Sequence, residues 1–130
     1  MNTIILCAFI AALLPYLAKM PLALAMNKEG KYDNNYPREQ QSRLTGFGAR
    51  ALAAHQNSFE SLIIFGIAIA VVLTTETTGA SIQWLAITHV VARIIYCVMY
   101  YIDKDLLRSL SWFVATASSF TMIWLSMTSL

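Results

Sequence analysis

Arg50, Asn57 and Glu60 are the first side chains in this 130-residue sequence whose types and spacing could do chemistry together: they stand seven and three residues apart. On a helix that spacing projects a guanidinium, a carboxamide and a carboxylate from one side, with Ala53 and Ala54 between them. A second set repeats the pattern. Arg93, Tyr96 and Tyr100 are spaced by three and four, which brings a guanidinium and two phenols onto one helical face. Set across from each other, the two stripes would line a cavity with Arg, Asn, Glu and Tyr, capped by Arg108. A small polar anion or zwitterion fits that chemistry. The plainer alternative is structural, with Glu60 paired to Arg93 inside a bundle and the Tyr and Asn groups hydrogen-bonding between helices. Arg50 is no partner for Glu60, because ten residues of helix separate them by about 15 Å.

The elements that must hold these groups are set by the solvent. The chain is 58% hydrophobic and 12% charged, with a mean hydropathy of +0.58. A soluble domain carries about 25% charged residues, so this composition predicts an all-α integral membrane protein in one domain. The net charge of +2 implies no nucleic-acid partner, and the basic residues are better read for topology. Cys7 and Cys97 both lie in apolar runs, and no metal-ligand spacing exists, so neither a disulfide nor a metal is expected.

Residues Met1 to about Met26 are long enough to cross a hydrocarbon core that needs about 20 residues, and Pro15 and Pro21 could kink the span. Ala23-Leu24-Ala25 resembles a signal-peptidase site, but no basic n-region precedes it and Lys19 sits at the wrong end, so a retained span is expected. Asn27 to Ser42 reads as a polar loop at the membrane surface, with Asn34-Asn35-Tyr36-Pro37 as turn material. Arg43 to Thr75 is a helix longer than the bilayer, whose first turns, through about Arg50, project into the headgroups. Ala80 to Tyr101 is the third span, interrupted by His89 and Arg93. Leu106 to Leu130 is the fourth, with Trp112 and Trp124 toward its two ends. His55 points off the Arg50, Asn57, Glu60 line and reads as a packing or headgroup histidine.

Basic residues flank the first loop (Lys28, Lys31, Arg38, Arg43) and the third (Lys104, Arg108), while the Thr77 to Gly79 turn has none. The positive-inside rule then puts loops one and three in the cytoplasm and both termini outside. An ionised side chain at the bilayer centre costs about 2.5 to 3.5 kcal/mol on insertion scales, so Arg50, Glu60 and Arg93 must lie near an interface or find partners. All three are expected in the cytoplasmic half.

Together these residues resemble a known family, the membrane-associated proteins in eicosanoid and glutathione metabolism. Its second-span pattern Glu-Arg-x-x-Arg-Ala-x-x-Asn-x-x-Glu is matched here at Arg50, Ala54, Asn57 and Glu60. Ala49 stands in place of the first Glu, Ala53 in place of the second Arg, and Gln56 where the prostaglandin synthases have Arg. The third-span pattern is similar to that of the leukotriene synthase branch, at Arg93, Tyr96 and Tyr100, and the Arg that follows in the family is matched by Arg108. The resemblance, to a bacterial-type member, covers nearly the whole chain. It implies a four-helix bundle in an inner membrane, a homotrimer, and glutathione bound between neighbours at the cytoplasmic side, contacted or framed by Arg38, Arg50, Asn57, Glu60, Arg93, Tyr96 and Tyr100.

On that resemblance the expected activity is a glutathione-dependent transferase or peroxidase acting on hydrophobic electrophiles or lipid hydroperoxides. Arg108 is the candidate catalytic group, since a guanidinium beside a thiol favours the thiolate, although Tyr96 or Tyr100 could donate the stabilising hydrogen bond instead. A non-catalytic membrane protein binding glutathione or a lipid in the same cavity is the alternative. A transporter subunit ranks last, because the outer halves of the spans offer only scattered Thr and Ser.

Overall fold

The structure is a computed structural model that describes residues 1–128. Four helices are long and apolar enough to cross a membrane: α1 (Asn2–Lys28), α3 (Gly46–Thr74), α4 (Ala80–Tyr101) and α5 (Asp105–Thr128). A short helix, α2 (Pro37–Ser42), lies between the first two. No strand is present among the described residues. The fourth span was expected to run to Leu130; Ser129 and Leu130 lie outside the described residues.

α1 continues through both prolines. Each proline lacks an N–H, which frees a carbonyl one turn earlier, and in lipid such groups must find partners within the protein. Those carbonyls belong to Ala11 and Leu17; the tie to α3 falls elsewhere, where the His55 Nδ1–H donates to the Pro15 carbonyl at 2.8 Å and the His55 ring meets Phe59 edge-on at 5.4 Å. This is the packing role expected for it. The polar stretch after α1 differs from a plain loop. Asp33 accepts from the backbone N–H groups of Asn35 and Tyr36, forming a turn that delivers Pro37 to the first position of α2, where its fixed φ suits a helix. Gln40, itself buried, then ties α2 to the end of α1 by donating to the carbonyls of Met26 and Lys31 and accepting from the Asp33 N–H.

α3 starts at Gly46, three residues later than expected, after an extended Thr45. Its 29 residues make a rod about 43 Å long, roughly nine residues more than a hydrocarbon core about 30 Å thick can hold without tilt. Short links join α3 to α4 and α4 to α5, so consecutive spans run antiparallel. α3 and α4 each pack on all the other spans, while α1 and α5 take opposite corners.

Small residues let these helices approach, since lipid supplies no hydrophobic drive between them and close packing must do so instead. The buried line of α1 reads Ala11, Pro15, Ala18, Leu22, Ala25, and α3 answers with Gly48, Ala51, Ala54 and Ser58. On α5 the buried positions are largely serines, and Ser111, Ser118 and Ser126 each donate to a carbonyl one turn back, so their hydroxyls are satisfied within the helix. Large apolar side chains face outward all round: Phe9, Tyr16 and Leu24 on α1, Ile63 on α3, Trp84 on α4, Phe113 and Trp124 on α5. That surface suits lipid or a neighbouring subunit, not water.

Phe65, Ile4, Val72, Ile82 and Met122 fill the half of the bundle away from the first and third loops, with Ala68 fully buried among them. Replacing Ala68 by Leu should destabilise the protein by about 1–3 kcal/mol through overpacking. Thermal unfolding in detergent checks this; an unchanged midpoint would mean that the seam is loose.

Candidate functional site

The polar residues gather at the end of the bundle that carries the first and third loops. Arg50 of α3 reaches Asp103, between α4 and α5, with Nη1 3.6 Å from the carboxylate, and Phe47 lies against Tyr101 with ring centroids 5.9 Å apart. α3 enters and α4 leaves at the same level, so both stripes lie on the same side of the membrane.

α4 and α5 build the core of the site. The Arg93 guanidinium lies over the face of the Tyr96 ring at 4.1 Å, Tyr96 meets Tyr100 edge-to-face at 5.4 Å, and the Arg108 guanidinium lies over the Tyr100 ring at 4.5 Å. The result is a ladder of cation, ring, ring, cation, whose contacts are each worth about 0.5–2 kcal/mol according to desolvation. Arg108 occupies the first turn of α5, the positive end of the helix dipole, where a cation is disfavoured. The Tyr100 ring face offsets this and fixes where the guanidinium sits.

α3 supplies the opposite wall. Ala54, fully buried, packs with Tyr96 and Cys97, and Ser58 lies 3.6 Å from the Cys97 sulfur. Asn57 donates through Nδ2 to the Glu60 carboxylate at 2.8 Å. The expected Glu60 to Arg93 ion pair is not made. Glu60 is exposed and held by Asn57, whereas Arg93 is 2% exposed and runs along its own helix to cover Tyr96. The carboxylate attracts the guanidinium only at longer range. An i,i+3 partner on the same helix is reached by one side chain, whereas the cross-helix pair would need two long side chains to meet; the shorter route wins.

Several buried atoms at this end keep unused hydrogen-bonding capacity: Nε and both terminal nitrogens of Arg93, Nε of Arg50 and Oδ1 of Asn57. Buried polar groups without partners are costly, and each of these marks a point where water, or a ligand that shifts its neighbours, would complete the bonding. Donors from two guanidinium groups and an acceptor from a carboxamide suit a molecule bearing both a carboxylate and an amine.

Arg38 does not join this group. It lines a separate cleft of about 400 Å³ with Gln41, Ser42, His55 and Gln56, on the flank of α3 turned away from Asn57 and Glu60. Two polar features went unread in the sequence. His89, almost fully buried, stacks on Phe65 with centroids 3.9 Å apart and directs Nδ1 at the Ala115 carbonyl (3.0 Å), with the Ser119 hydroxyl 2.9 Å away. Below the ladder, Ser58, Ser61, His89 and Arg93 border a cavity with room for about one water molecule. The four-residue spacing of His89 and Arg93, which puts them on one face of α4, was the available signal.

A four-span helical membrane bundle with a basic and phenolic site at one end is the class that this fold and site define. The MAPEG family model matches residues 3–128, and the chain belongs to that family. Membership supports a membrane glutathione-related transferase, peroxidase or related activity in general. Neither a curated protein nor a solved structure matches the chain.

Because no described group hydrogen-bonds to Arg93 or forms an ion pair with it, and the Tyr96 ring face offsets only part of the cost of burying its charge, removing that charge should not loosen the ligand-free bundle. Arg93→Met is expected to leave thermal stability within about 1 kcal/mol or to raise it, as replacement of buried charges by apolar groups often does. A fall of about 3 kcal/mol would instead make Arg93 a structural strut.

Proposed function

We propose that the protein is a membrane-embedded glutathione-dependent transferase or peroxidase that raises the thiolate fraction of bound glutathione for attack on hydrophobic electrophiles or lipid hydroperoxides. The observation that carries this reading is the ladder from Arg93 to Arg108 beside buried atoms of Arg50, Asn57 and Arg93 that lack partners. Within the site, Arg50 and Arg93 take the carboxylates of the tripeptide, Asn57 Oδ1 and Glu60 take its ammonium, and Tyr96 and Tyr100 form the wall along which the cysteinyl arm lies. Arg38, on the other flank of α3, is outside this set of contacts within one chain.

Arg108 acts on the sulfur. A free thiol has a pKa of about 8.5, and a guanidinium held beside it stabilises the charged form, lowering that value toward neutrality. The S–H proton leaves to water at the loop end, and the thiolate forms a C–S bond as the leaving group departs with its electron pair. With a hydroperoxide, sulfur attacks the terminal oxygen and the O–O bond breaks. An alcohol leaves, and a second glutathione converts the sulfenic acid to disulfide and water. Arg108 sits half-buried between the loop end and the outward apolar faces of α5, so a substrate dissolved in lipid has a short path to it.

Loops one and three are proposed to be cytoplasmic, as the charge count supports, which gives the site access to cytosolic glutathione. The active form is proposed as a homotrimer, which would cover part of the outward apolar surface.

Conjugation of glutathione to an aromatic halide tests the enzyme reading. Arg108→Ala should lower kcat by about 10²–10³-fold, as loss of one group that stabilises developing charge does. The rising limb of the rate against pH should also move upward, because the thiol loses the cation that favoured its ionised form. Equal rates and an unmoved profile would take Arg108 out of the mechanism. A second reading is favoured by Ala53, which stands where the family's eicosanoid enzymes carry another arginine: a binding protein without turnover. Thermal stabilisation by glutathione with no conjugation or peroxidase activity would select it.

A further inference from the structure

Pro15 places a spare acceptor inside the bundle. A proline has no N–H, so the Ala11 carbonyl, one turn before it, receives no i+4 donor from its own helix. Ala11 is buried and lines the cavity below the ladder, where α1, α3 and α4 meet. Ser58 and Ser61 of α3 and His89 and Arg93 of α4 complete the polar part of that lining, and the other residues there are apolar. The cavity has room for about one water molecule and for nothing larger. All of its lining belongs to one chain, so it is complete without a neighbouring subunit.

The polar groups on this lining have hydrogen-bonding roles left to fill, and the roles are of both kinds. Arg93 only donates; it is 2% exposed, and none of its side-chain nitrogens has a hydrogen-bond partner among the described residues. His89 is an acceptor here. The Ala115 carbonyl can only accept, so its 3.0 Å contact with Nδ1 places the ring proton on that nitrogen and leaves the neutral imidazole a lone pair on Nε2. Phe65, stacked on the ring at 3.9 Å, and the Ser119 hydroxyl, 2.9 Å from Nδ1, hold the ring in that orientation. The Ala11 carbonyl is the second acceptor. The Ser61 hydroxyl can turn to give or to receive. Apolar cavities stay dry, whereas a polar one with two to four partners in reach holds water.

We propose that this cavity is a built site for one ordered water molecule, which accepts from the Arg93 guanidinium and donates to His89 Nε2 and to the Ala11 carbonyl, with the Ser61 hydroxyl as its fourth neighbour. Water is the one ligand of this size that gives and receives at once. A halide ion would be drawn to Arg93 but would meet the Nε2 lone pair and the carbonyl oxygen, both partially negative, and a metal cation would meet the guanidinium. The water joins the three helices that border the cavity. It gives the buried cation a partner that the protein supplies nowhere else, while the Tyr96 ring covers the guanidinium at 4.1 Å. One N–H of Arg93 is used in this way, and the others stay open to whatever binds above the ladder.

Radiolytic hydroxyl-radical labelling of the full-length protein in detergent, read residue by residue by mass spectrometry, tests this. Radicals formed from a bound water attack the side chains beside it. Val90 lines the cavity and Val72, equally apolar and buried, does not, so the two share an intrinsic reactivity and differ in their distance from the proposed water. Val90 should be oxidised severalfold faster. His89→Asn keeps a donor for the Ala115 carbonyl and removes the Nε2 acceptor, so Val90 labelling should fall toward that of Val72; where the variant does not fold, the wild-type comparison decides alone. Equal rates for the two valines overturn the proposal, as does a fast Val90 rate that a folded His89→Asn leaves unchanged. A crystal structure from sodium bromide gives a second readout. One peak within about 2.6–3.2 Å of an Arg93 nitrogen, of Nε2 and of the Ala11 oxygen, without anomalous signal, is expected. An anomalous peak would make this a halide site, and an empty cavity would make it dry; either result overturns the proposal. No glutathione is present in either experiment, so failure of the thiol reading would leave both results untouched.

Discussion

Arg93 is a permanently charged group with almost no solvent exposure, on a helix that crosses the bilayer, and none of its side-chain nitrogens has a hydrogen-bond partner among the described residues. Insertion scales put the cost of such a residue near the helix centre at about 2.5 to 3.5 kcal/mol. The Tyr96 ring returns about 2 kcal/mol at most, and the exposed Glu60 carboxylate contributes at longer range through a more polar path. The difference is small enough for a well-packed bundle to carry, but it is not zero. The rest of the site is arranged around that residual charge: small residues on α3 allow α4 to approach, Asn57 holds Glu60 on the exposed side of α3, and a one-water cavity lies beneath the guanidinium.

Rigidity at the loop end has a different origin from stability in the rest of the bundle. The half away from the site is held by large apolar side chains around Phe65, whose removal would cost packing and nothing else. At the loop end the buried apolar side chains fall into two smaller groups, Leu22, Met26, Leu44 and Ala51 in one and Ala54, Tyr96 and Cys97 in the other. The gap is made up by directional contacts: the aromatic ladder, the Gln40 tie from α2 to α1, and the His55 bond to the Pro15 carbonyl. Such contacts fix orientation more than they add free energy, which is what a binding site requires of its walls.

The spans and the two polar stripes were legible because each rests on one-dimensional properties, run length and helical periodicity, and the bilayer enforces both. Pairing was not. The expected bond between Glu60 and Arg93 failed because sequence spacing tells which face a side chain leaves from and not which way it lies once there; Arg93 turns along its own helix, and Asn57, three residues from Glu60, is nearer. The α2 helix was read as loop because a proline and five polar residues carry no periodic signal; its existence depends on the Asp33 turn and on Gln40 reaching α1, which are tertiary facts. His89 was passed over for a similar reason, since the groups that make it a satisfied core residue, Phe65, Ala115 and Ser119, come from two other helices.

The departures from the family pattern acquire a physical meaning once α3 is seen between two polar regions. Ala53 removes an arginine from the flank that faces the ladder, and what remains there is Arg50, already drawn toward Asp103, and Arg93, buried. A ligand entering must therefore compete with Asp103 for one cation and fill the empty hydrogen-bonding positions of the other. The second demand favours binding, because every bond made to Arg93 replaces none within the protein. The first opposes it only weakly, since Asp103 is largely exposed and such a pair is worth less than about 1 kcal/mol. On the proposed reading the site loses one anchor at Ala53 and keeps its strongest at Arg93, so affinity and orientation come to depend on the deep end of the pocket, beside the two phenols, and much less on its mouth.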